Sequence, residues 1–344
     1  MTMKSVQIVA NGKIGFGEMP IQKPGPNQVL IKVHSAPINP SDILFMKGKY
    51  TGIKLSYPYT PGWEGSGTVV DVGPGMLSAY FAGKRVAFMK ASEPPPTYKL
   101  GGSMAEYIVT DIKGVIPLGD DLTLEEGSSH FVNPLTALGM VDRLKQLKVK
   151  AVIITAAASQ LCRMIIKLCK TAGITPICTV RKADQASFLM NELGCKYVIN
   201  TSDKDWMKKM GAVCMRLKPT GCLECISGDM TGQMCDFLGF GATVILYGTL
   251  SEKPAGGINT IAFIGKNLKM EGYLLSNDLA KMTLFQYVEF AMRAEPLMKS
   301  DLSTTIQKRF GLHQVQEAID YYQANQTAGK VVLQPQLTTG VPKL

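Results

Sequence analysis

The sequence predicts an α/β protein of two domains, one β-rich and one built on a doubly wound parallel sheet. Three observations carry this expectation. The 344 residues exceed a single compact domain and are comfortable for two. From about Ser128 to Ser300, short apolar strands alternate with amphipathic helices, the pattern of a buried parallel sheet with helical crossovers. Residues 1–127 and 301–344 read differently, as strands and turns, and together form the β-rich domain.

The β-rich part opens with Gln28–His34, where Val29, Ile31 and Val33 alternate with Gln28, Lys32 and His34. That alternation is a half-buried strand. Thr68–Val72, Arg85–Phe88 and Ala105–Val109 follow as strands, separated by glycine and proline clusters that punctuate turns. A small twisted barrel or sandwich is expected. The second style begins with the apolar strand Val152–Thr155. A helix follows, with Leu161, Ile165, Leu168 and Ala172 on one face and Gly173 closing it. Pro176–Val180 is the next strand, then a helix over about Ala183–Leu193 ended by Gly194. Tyr197–Ile199, Leu223–Ile226, Thr243–Tyr247 and Lys269–Leu274 continue the strand series. Lys330–Leu333 reads as a strand that rejoins the first domain.

Composition excludes several classes of function. With 46% hydrophobic and 19% charged residues, the chain has enough apolar material for a large core and is not disordered. The longest apolar run, Ala151–Ala158, is far short of the roughly 20 residues of a membrane span. The net charge of +10 admits nucleic acid, an anionic cofactor, an acidic partner or a basic compartment. The cations are dispersed, however, with Lys145, Lys148, Lys150, Lys208 and Lys209 on helical or linker segments. No aromatic–basic motif or recognition helix accompanies them, so nucleic-acid binding is not expected. All eight cysteines fall between Cys162 and Cys235, unlike a secreted disulfide framework. The first residues contain no apolar stretch of a signal peptide and no Arg before Arg85. An intracellular site, cytoplasm or mitochondrial matrix, is the expectation.

In a doubly wound sheet a dinucleotide sits where the first strand turns into the first helix. Here that junction is Thr155–Cys162, TAAASQLC, which contains no glycine. A variant loop can still serve, kept slim by Ala157 and Ala158 and capped by Ser159. A loop that no longer binds nucleotide is the other reading, and the motif alone leaves both open. The second strand ends in Arg181-Lys182, with no acid before Asp184. Cations at that point suit the 2′-phosphate of NADPH, whereas an acid suits NADH. Ala158, Ser159, Gln160 and Leu161 in the loop, with Thr179, Arg181 and Lys182 at the second strand, are the candidate cofactor contacts.

Other residues carry a resemblance. Ile38-Asn39-Pro40-Ser41-Asp42 is followed by Gly48-Lys49-Tyr50, then by Tyr59-Thr60-Pro61-Gly62-Trp63-Glu64-Gly65-Ser66-Gly67, by Asn133-Pro134-Leu135-Thr136-Ala137, and by Ala328-Gly329-Lys330-Val331-Val332. In order and spacing the chain resembles the medium-chain dehydrogenase/reductase superfamily. Within it, the chain is similar to the zinc-free quinone oxidoreductases and 2-enoyl thioester reductases. The resemblance implies a GroES-like domain plus a Rossmann domain with the active site in the cleft between them, and a homodimer. Zinc members place a Cys and a His where this chain has Asn39 and Trp63, and no cysteine precedes Cys162 to form a structural zinc lobe. Cys222 and Cys225 lie on an expected buried strand, and His34, His130 and His313 make no ligand pattern. No metal is expected.

Without a Lewis acid the remaining chemistry is hydride transfer to an acceptor already activated, a quinone or a C=C conjugated to a carbonyl. Tyr50 is the candidate proton donor, since a phenol stays protonated near neutrality. The resemblance implies that Asn39 and Thr136 face the nicotinamide region. Tyr247 and Gly248 end the fifth strand, where ligands sit outside strand C-termini; both are candidate cofactor contacts, and Gly248 lets the cofactor approach. Lys330 resembles a position on the cofactor's phosphate side. Met46, Tyr57 and the Ser92–Leu100 segment are expected to shape the acceptor pocket. The alternative is a non-catalytic descendant serving as an accessory subunit of a larger complex, with or without bound NADPH, motivated by the glycine-free loop and the basic surplus.

Overall fold

The structure is a computed structural model and describes residues 1–50, 53–91, 97–98 and 100–338. Two compact units emerge from its contacts. One contains Met1–Leu135, Met282–Met298 and the segment from Leu302; the other contains Thr136–Lys281 and Lys299–Asp301.

The first unit begins with a hairpin of β1 (Thr2–Ala10) and β2 (Lys13–Pro20). The turn is Asn11-Gly12, with Gly12 at φ 72°. Asn-Gly is a strong signal for a short hairpin turn, and here glycine alone takes the positive φ; the sequence reading assigned no hairpin there. β3 (Gln28–Pro37) follows, then α1 (Pro40–Met46), β4 (Lys54–Leu55), β5 (Glu64–Val72), α2 (Met76–Tyr80), β6 (Arg85–Met89) and β7 (Thr97–Tyr98). β8 (Tyr107–Asp111), β9 (Val115–Pro117), α3 (Leu124–Gly127) and α4 (Val132–Gln146) complete this stretch, the division between units falling at Leu135–Thr136. Val29, Ile31 and Val33 of β3 are buried while Lys32 is exposed, as the alternation requires. β5 begins four residues before the expected Thr68. Its early part, Glu64–Gly67, pairs with β6 through residues too small or polar to show an apolar alternation. β8 starts at Tyr107 rather than Ala105, because Ala105 makes only an isolated bridge to Ser5.

The second unit is a six-stranded parallel sheet. Its strands are β10 (Ala151–Ile154), β11 (Thr175–Val180), β12 (Tyr197–Asn200), β13 (Gly221–Glu224), β14 (Thr243–Leu246) and β15 (Lys269–Gly272). They lie in the order β12-β11-β10-β13-β14-β15, the 3-2-1-4-5-6 arrangement of a dinucleotide-binding Rossmann sheet. α5 (Gln160–Thr171), α6 (Ala183–Asn191), α7 (Trp206–Leu217), α8 (Asp229–Phe237), α9 (Thr260–Gly265) and α10 (Leu275–Lys281) accompany it. All four residues of β10 are buried, as a central strand covered on both faces must be. β13 ends at Glu224, so the expected strand Leu223–Ile226 is shifted by two residues. The cause is the buried Glu224 carboxylate. It accepts the Ile226 N–H at 2.7 Å, the Ser227 N–H at 3.0 Å and the Thr231 hydroxyl at 3.0 Å, curling the chain off the sheet.

The chain then returns to the first unit through α11 (Leu284–Ala294), β16 (Ile306–Phe310), α12 (Val315–Ala324) and β17 (Lys330–Leu333). β17 pairs antiparallel with β3, matching Val332 with Pro37. It completes a sheet in the order β16-β17-β3-β5-β6-β9, with β8 also on β3. No helix among the described residues is long and apolar enough to cross a membrane.

Candidate functional site

In the first unit the polar residues of the motifs form one buried cluster. β3 ends at Pro37, and Asn39 precedes α1, whose first residue is Pro40. Proline is tolerated there because the first helical N–H has no partner to lose. Asp42, in the first turn, accepts the Asn39 N–H at 2.8 Å and the Trp63 N–H at 3.0 Å. Its carboxyl is fully buried. Burial pushes its pKa up to about 7, opposed by the Asn39 N–H and the Lys330 charge.

Asn39 donates through Nδ2 to Glu64 Oε1 at 3.1 Å and accepts at Oδ1 from the Lys330 ammonium. That ammonium lies 3.7 Å from Glu64 Oε1, with side-chain exposures of 4% and 0%. The other Glu64 oxygen accepts the Val132 N–H at 2.7 Å and the Phe131 N–H at 3.3 Å, at the start of α4. These contacts fix the Asn39 amide. A flipped amide would set its NH2 against the ammonium and its oxygen against the carboxylate. Buried charges persist only when paired, and burial alone lowers the Lys330 pKa while the two carboxylates support it.

Above this cluster stands an aromatic group. Phe45, on α1, lies 5.0 Å from Trp63, 5.9 Å from Tyr50 and 5.9 Å from Tyr59 between ring centroids, each edge-on. Tyr50 and Trp63 are half-buried and 6.0 Å apart. The Trp63 Nε1–H is buried without an acceptor among the described residues.

In the second unit the β10–α5 turn follows a different logic from a glycine loop. Ala156 takes φ 47°, the left-handed conformation that glycine adopts at little cost. The Ala157 N–H donates to the Thr179 carbonyl at 3.0 Å, tying the loop to the end of β11. Ala157 and Ala158 are buried, and Ser159 Oγ accepts the Cys162 N–H at 3.4 Å as the cap of α5. Arg163 turns its Nε back to the Ala158 carbonyl at 2.9 Å. The Cys162 thiol points inward, 3.5 Å from the Thr155 carbonyl and 3.1 Å from the Tyr247 hydroxyl. On the neighbouring strand the Thr179 hydroxyl is buried with no partner among the described residues. Arg181 and Lys182 follow, exposed, with no ion-pair partner there.

These residues fit a phosphorylated dinucleotide. The loop is slim, α5 presents its N-terminal N–H groups, and at the adjacent strand end stand a hydroxyl and two cations that have no side-chain partner among the described residues. Among the described residues no group of three His, Cys, Asp or Glu is disposed to hold a metal ion.

Residues 25–120 match the family of alcohol dehydrogenase GroES-like domains, and residues 161–293 that of zinc-binding dehydrogenases. A mitochondrial enoyl-[acyl-carrier-protein] reductase of Xenopus tropicalis is 30% identical over 74% of this chain and 70% of its own. The chain belongs to the medium-chain dehydrogenase/reductase superfamily. Its branch is that of the quinone oxidoreductases and enoyl reductases. Prostaglandin reductase-3 of Mus musculus is 27% identical over 92% of this medium-chain dehydrogenase/reductase and 84% of its own chain. A Mesorhizobium loti structure assigned as an NADPH:quinone reductase superposes with a TM-score of 0.88 at 30% identity, covering 97% of this chain and 98% of that one.

The expected site residues divide between the units of this medium-chain dehydrogenase/reductase. Asn39, Tyr50 and Lys330 are in the first. Thr136, the loop Ala158–Leu161, Thr179, Arg181, Lys182, Tyr247 and Gly248 are in the second. Thr136 is buried on α4, and Gln160 and Leu161 are half-buried at the start of α5.

Two expected roles change. Lys330 was expected on the cofactor's phosphate side, but its ammonium is enclosed by Asn39 and Glu64 and orients the amide instead. A Cβ on Gly248 would come 3.0 Å from that of Cys225, a tight approach that glycine avoids. Met46 is 1% exposed and belongs to the core, whereas Tyr57 is exposed. The expected pocket segment 92–100 lies largely outside the described residues. Glu64 and Asp42 appeared in the motifs without an assigned role. Their signal was an acid inside a run otherwise made of small and apolar residues.

Proposed function

We propose that this chain is an NADPH-dependent oxidoreductase that passes a hydride to a quinone or to a C=C activated by a carbonyl, without a metal. The observation that carries the reading is the end of β11. A buried hydroxyl on Thr179 is followed by the exposed cations Arg181 and Lys182, none of them with a side-chain partner among the described residues, beside a capped, slim loop. That combination favours NADPH over NADH. The relatives named above, reductases of enoyl thioesters, of prostaglandins and of quinones, support the same class of acceptor.

The bound cofactor would supply the hydride. The residues of the chain supply the rest. Asn39, held by Glu64 and Lys330, offers a fixed amide to the reacting groups. Tyr50 holds the phenolic proton that goes to the developing oxyanion or to the α-carbon. Trp63 occupies the place where zinc relatives keep a ligand, and Asp42 holds the Trp63 backbone.

The glycine-free loop motivated an inactive accessory subunit as the alternative. The inward turn of Cys162 weakens that motive, since the thiol adds no bulk on the side a phosphate would take. Ligand-induced stabilisation tests the reading. Saturating NADPH should raise the melting temperature clearly more than equal NADH, and turnover of menadione or crotonyl-CoA should follow. Equal or absent shifts with no turnover would reject it.

A further inference from the structure

We propose that Cys178 and Cys195 are an oxidisable dithiol, which a hydroperoxide converts to a disulfide tying β11 to the loop after α6. The two Sγ atoms lie 4.0 Å apart, with the Cys178 thiol donating to Cys195. A disulfide holds its sulfurs at about 2 Å, so the gap must close by about 2 Å. The strand is too well held to supply that motion. Cys178 is wholly buried and lies in register between Ile154 of β10 and Val198 of β12. The loop joining α6 to β12 supplies it. Gly194 turns there at φ 59°, and Cys195 lies just under the surface between the exposed Gly194 and Lys196. One sulfur is therefore in the core and its partner is within reach of solvent.

A thiol reacts with peroxide as its thiolate, and a nearby cation favours that form. Lys170, on α5, brings one to this corner, where its Nζ donates to the Leu193 carbonyl at 2.7 Å. The Cys178 S–H, first, and the Lys170 charge hold the Cys195 thiol below its ordinary value, against its burial. The same bond and burial push the Cys178 thiol up. Cys195 is therefore the attacking sulfur and Cys178 the resolving one. The Cys195 thiolate attacks one oxygen of hydrogen peroxide. An S–O bond forms, the O–O bond breaks, and the departing hydroxide takes up the proton the thiol had lost. The Cys178 sulfur then attacks the sulfur of this sulfenic acid. The S–S bond forms, the S–O bond breaks, and a second water leaves with the Cys178 proton. Two thiols are oxidised by two electrons in all, and one peroxide is reduced to two waters. Cys162 and Cys225 also touch, but the groups around them are the Tyr247 phenol and Thr155, with no cation beside them among the described residues. The Cys178–Cys195 bridge closes a ring of chain over 178–195 that takes in Thr179, Arg181 and Lys182. Closing such a ring removes freedom from the unfolded chain, so an unstrained bridge stabilises the fold.

Thiol mapping tests this without any turnover. The full chain is treated with equimolar hydrogen peroxide, unfolded in N-ethylmaleimide and digested for mass spectrometry. Peptides carrying Cys178 and Cys195 should appear linked, with the other six of the eight cysteines alkylated. Dithiothreitol should return all eight to the alkylated form. Cys178→Ala, treated with dimedone present, should trap the sulfenic acid on Cys195. The oxidised protein should melt higher than the reduced one. Cys195→Ser, treated in parallel as the control for methionine oxidation, should show no such rise. Both thiols still alkylated after peroxide, a bridge at another pair, or dimedone on another cysteine overturns the inference. So does a bridged sample that melts no higher, since a pair that closes only under strain is not a built site. If the variants fail to fold, the mapping of the unaltered chain decides alone.

Discussion

The thiol of Cys162 lies 3.1 Å from the phenolic oxygen of Tyr247, so the first turn of α5 is tied to the residue that follows β14. Cys225 belongs to the same knot and is raised well above an ordinary thiol, first by its bond to Cys162 and then by burial. Burial and the two thiols likewise hold the Tyr247 phenol protonated. The β10–α5 loop is therefore supported from beneath by side chains, where glycine-rich dinucleotide loops rely on close backbone approach.

Removing this support should loosen the loop. Cys162→Ala deletes a fully buried sulfur and leaves the Tyr247 hydroxyl without that partner. A loss of about 1–2 kcal/mol in urea unfolding is expected, together with a smaller melting-temperature rise on adding NADPH.

The Arg181-Lys182 pair should set cofactor choice. Arg181→Ala/Lys182→Ala removes both exposed cations at the end of β11 and touches no core contact. Charge-assisted bonds of about 1.5–3 kcal/mol would be lost. NADPH affinity should fall roughly 10- to 100-fold, with NADH affinity nearly unchanged, as read by equilibrium titration.

Lys330→Met should be severe. It leaves Glu64, which is wholly buried, without its cation and frees the Asn39 amide to flip. Breaking a buried pair from one side costs about 3–5 kcal/mol. Adding Glu64→Gln should recover part of the stability but not the turnover.

Asp42 should shape the pH dependence of stability. Its folded pKa of about 7 lies above the ordinary 3.8, with Lys330, Glu64 and Tyr322 as the other titratable groups around it. Between those values the folded protein keeps a proton that the unfolded chain has released. The resulting stabilisation is complete below the ordinary value and fades as pH rises through about 7. This group should contribute a slope of up to ~1.4 kcal/mol per pH unit. Asp42→Asn should flatten that slope in denaturation curves taken from pH 4 to pH 8.

Tyr50→Phe should lower kcat by about 100-fold with little change in melting temperature, since general acid catalysis contributes roughly 10²–10⁴-fold. Unchanged kcat would remove Tyr50 from the proton path.

Much of the architecture was legible because its signals are local. The alternation at Val29, Ile31 and Val33 marked β3. The apolar run at Val152 marked the first strand of the parallel sheet, and Arg181-Lys182 lay where the second strand had to end. Short-range turn chemistry was also present in Asn11-Gly12, although no hairpin was assigned to it. The strand at Leu223 was misplaced for a different reason. Its end is set by the Glu224 carboxylate bonding to backbone two and three residues on, and residue type alone does not reveal that choice.

Period and composition, then, were enough to determine the α/β class, the two-part organisation and the parallel sheet, since each depends on neighbours within a few residues. Tertiary packing alone decided the rest. Asn39 meets Glu64 across 25 residues and Lys330 across 291. Lys330 thereby becomes a buried support of an amide rather than a hand for phosphate. The outcome depends on desolvation: a cation taken out of water must find its counter-charge, and only the folded chain brings that carboxylate within reach.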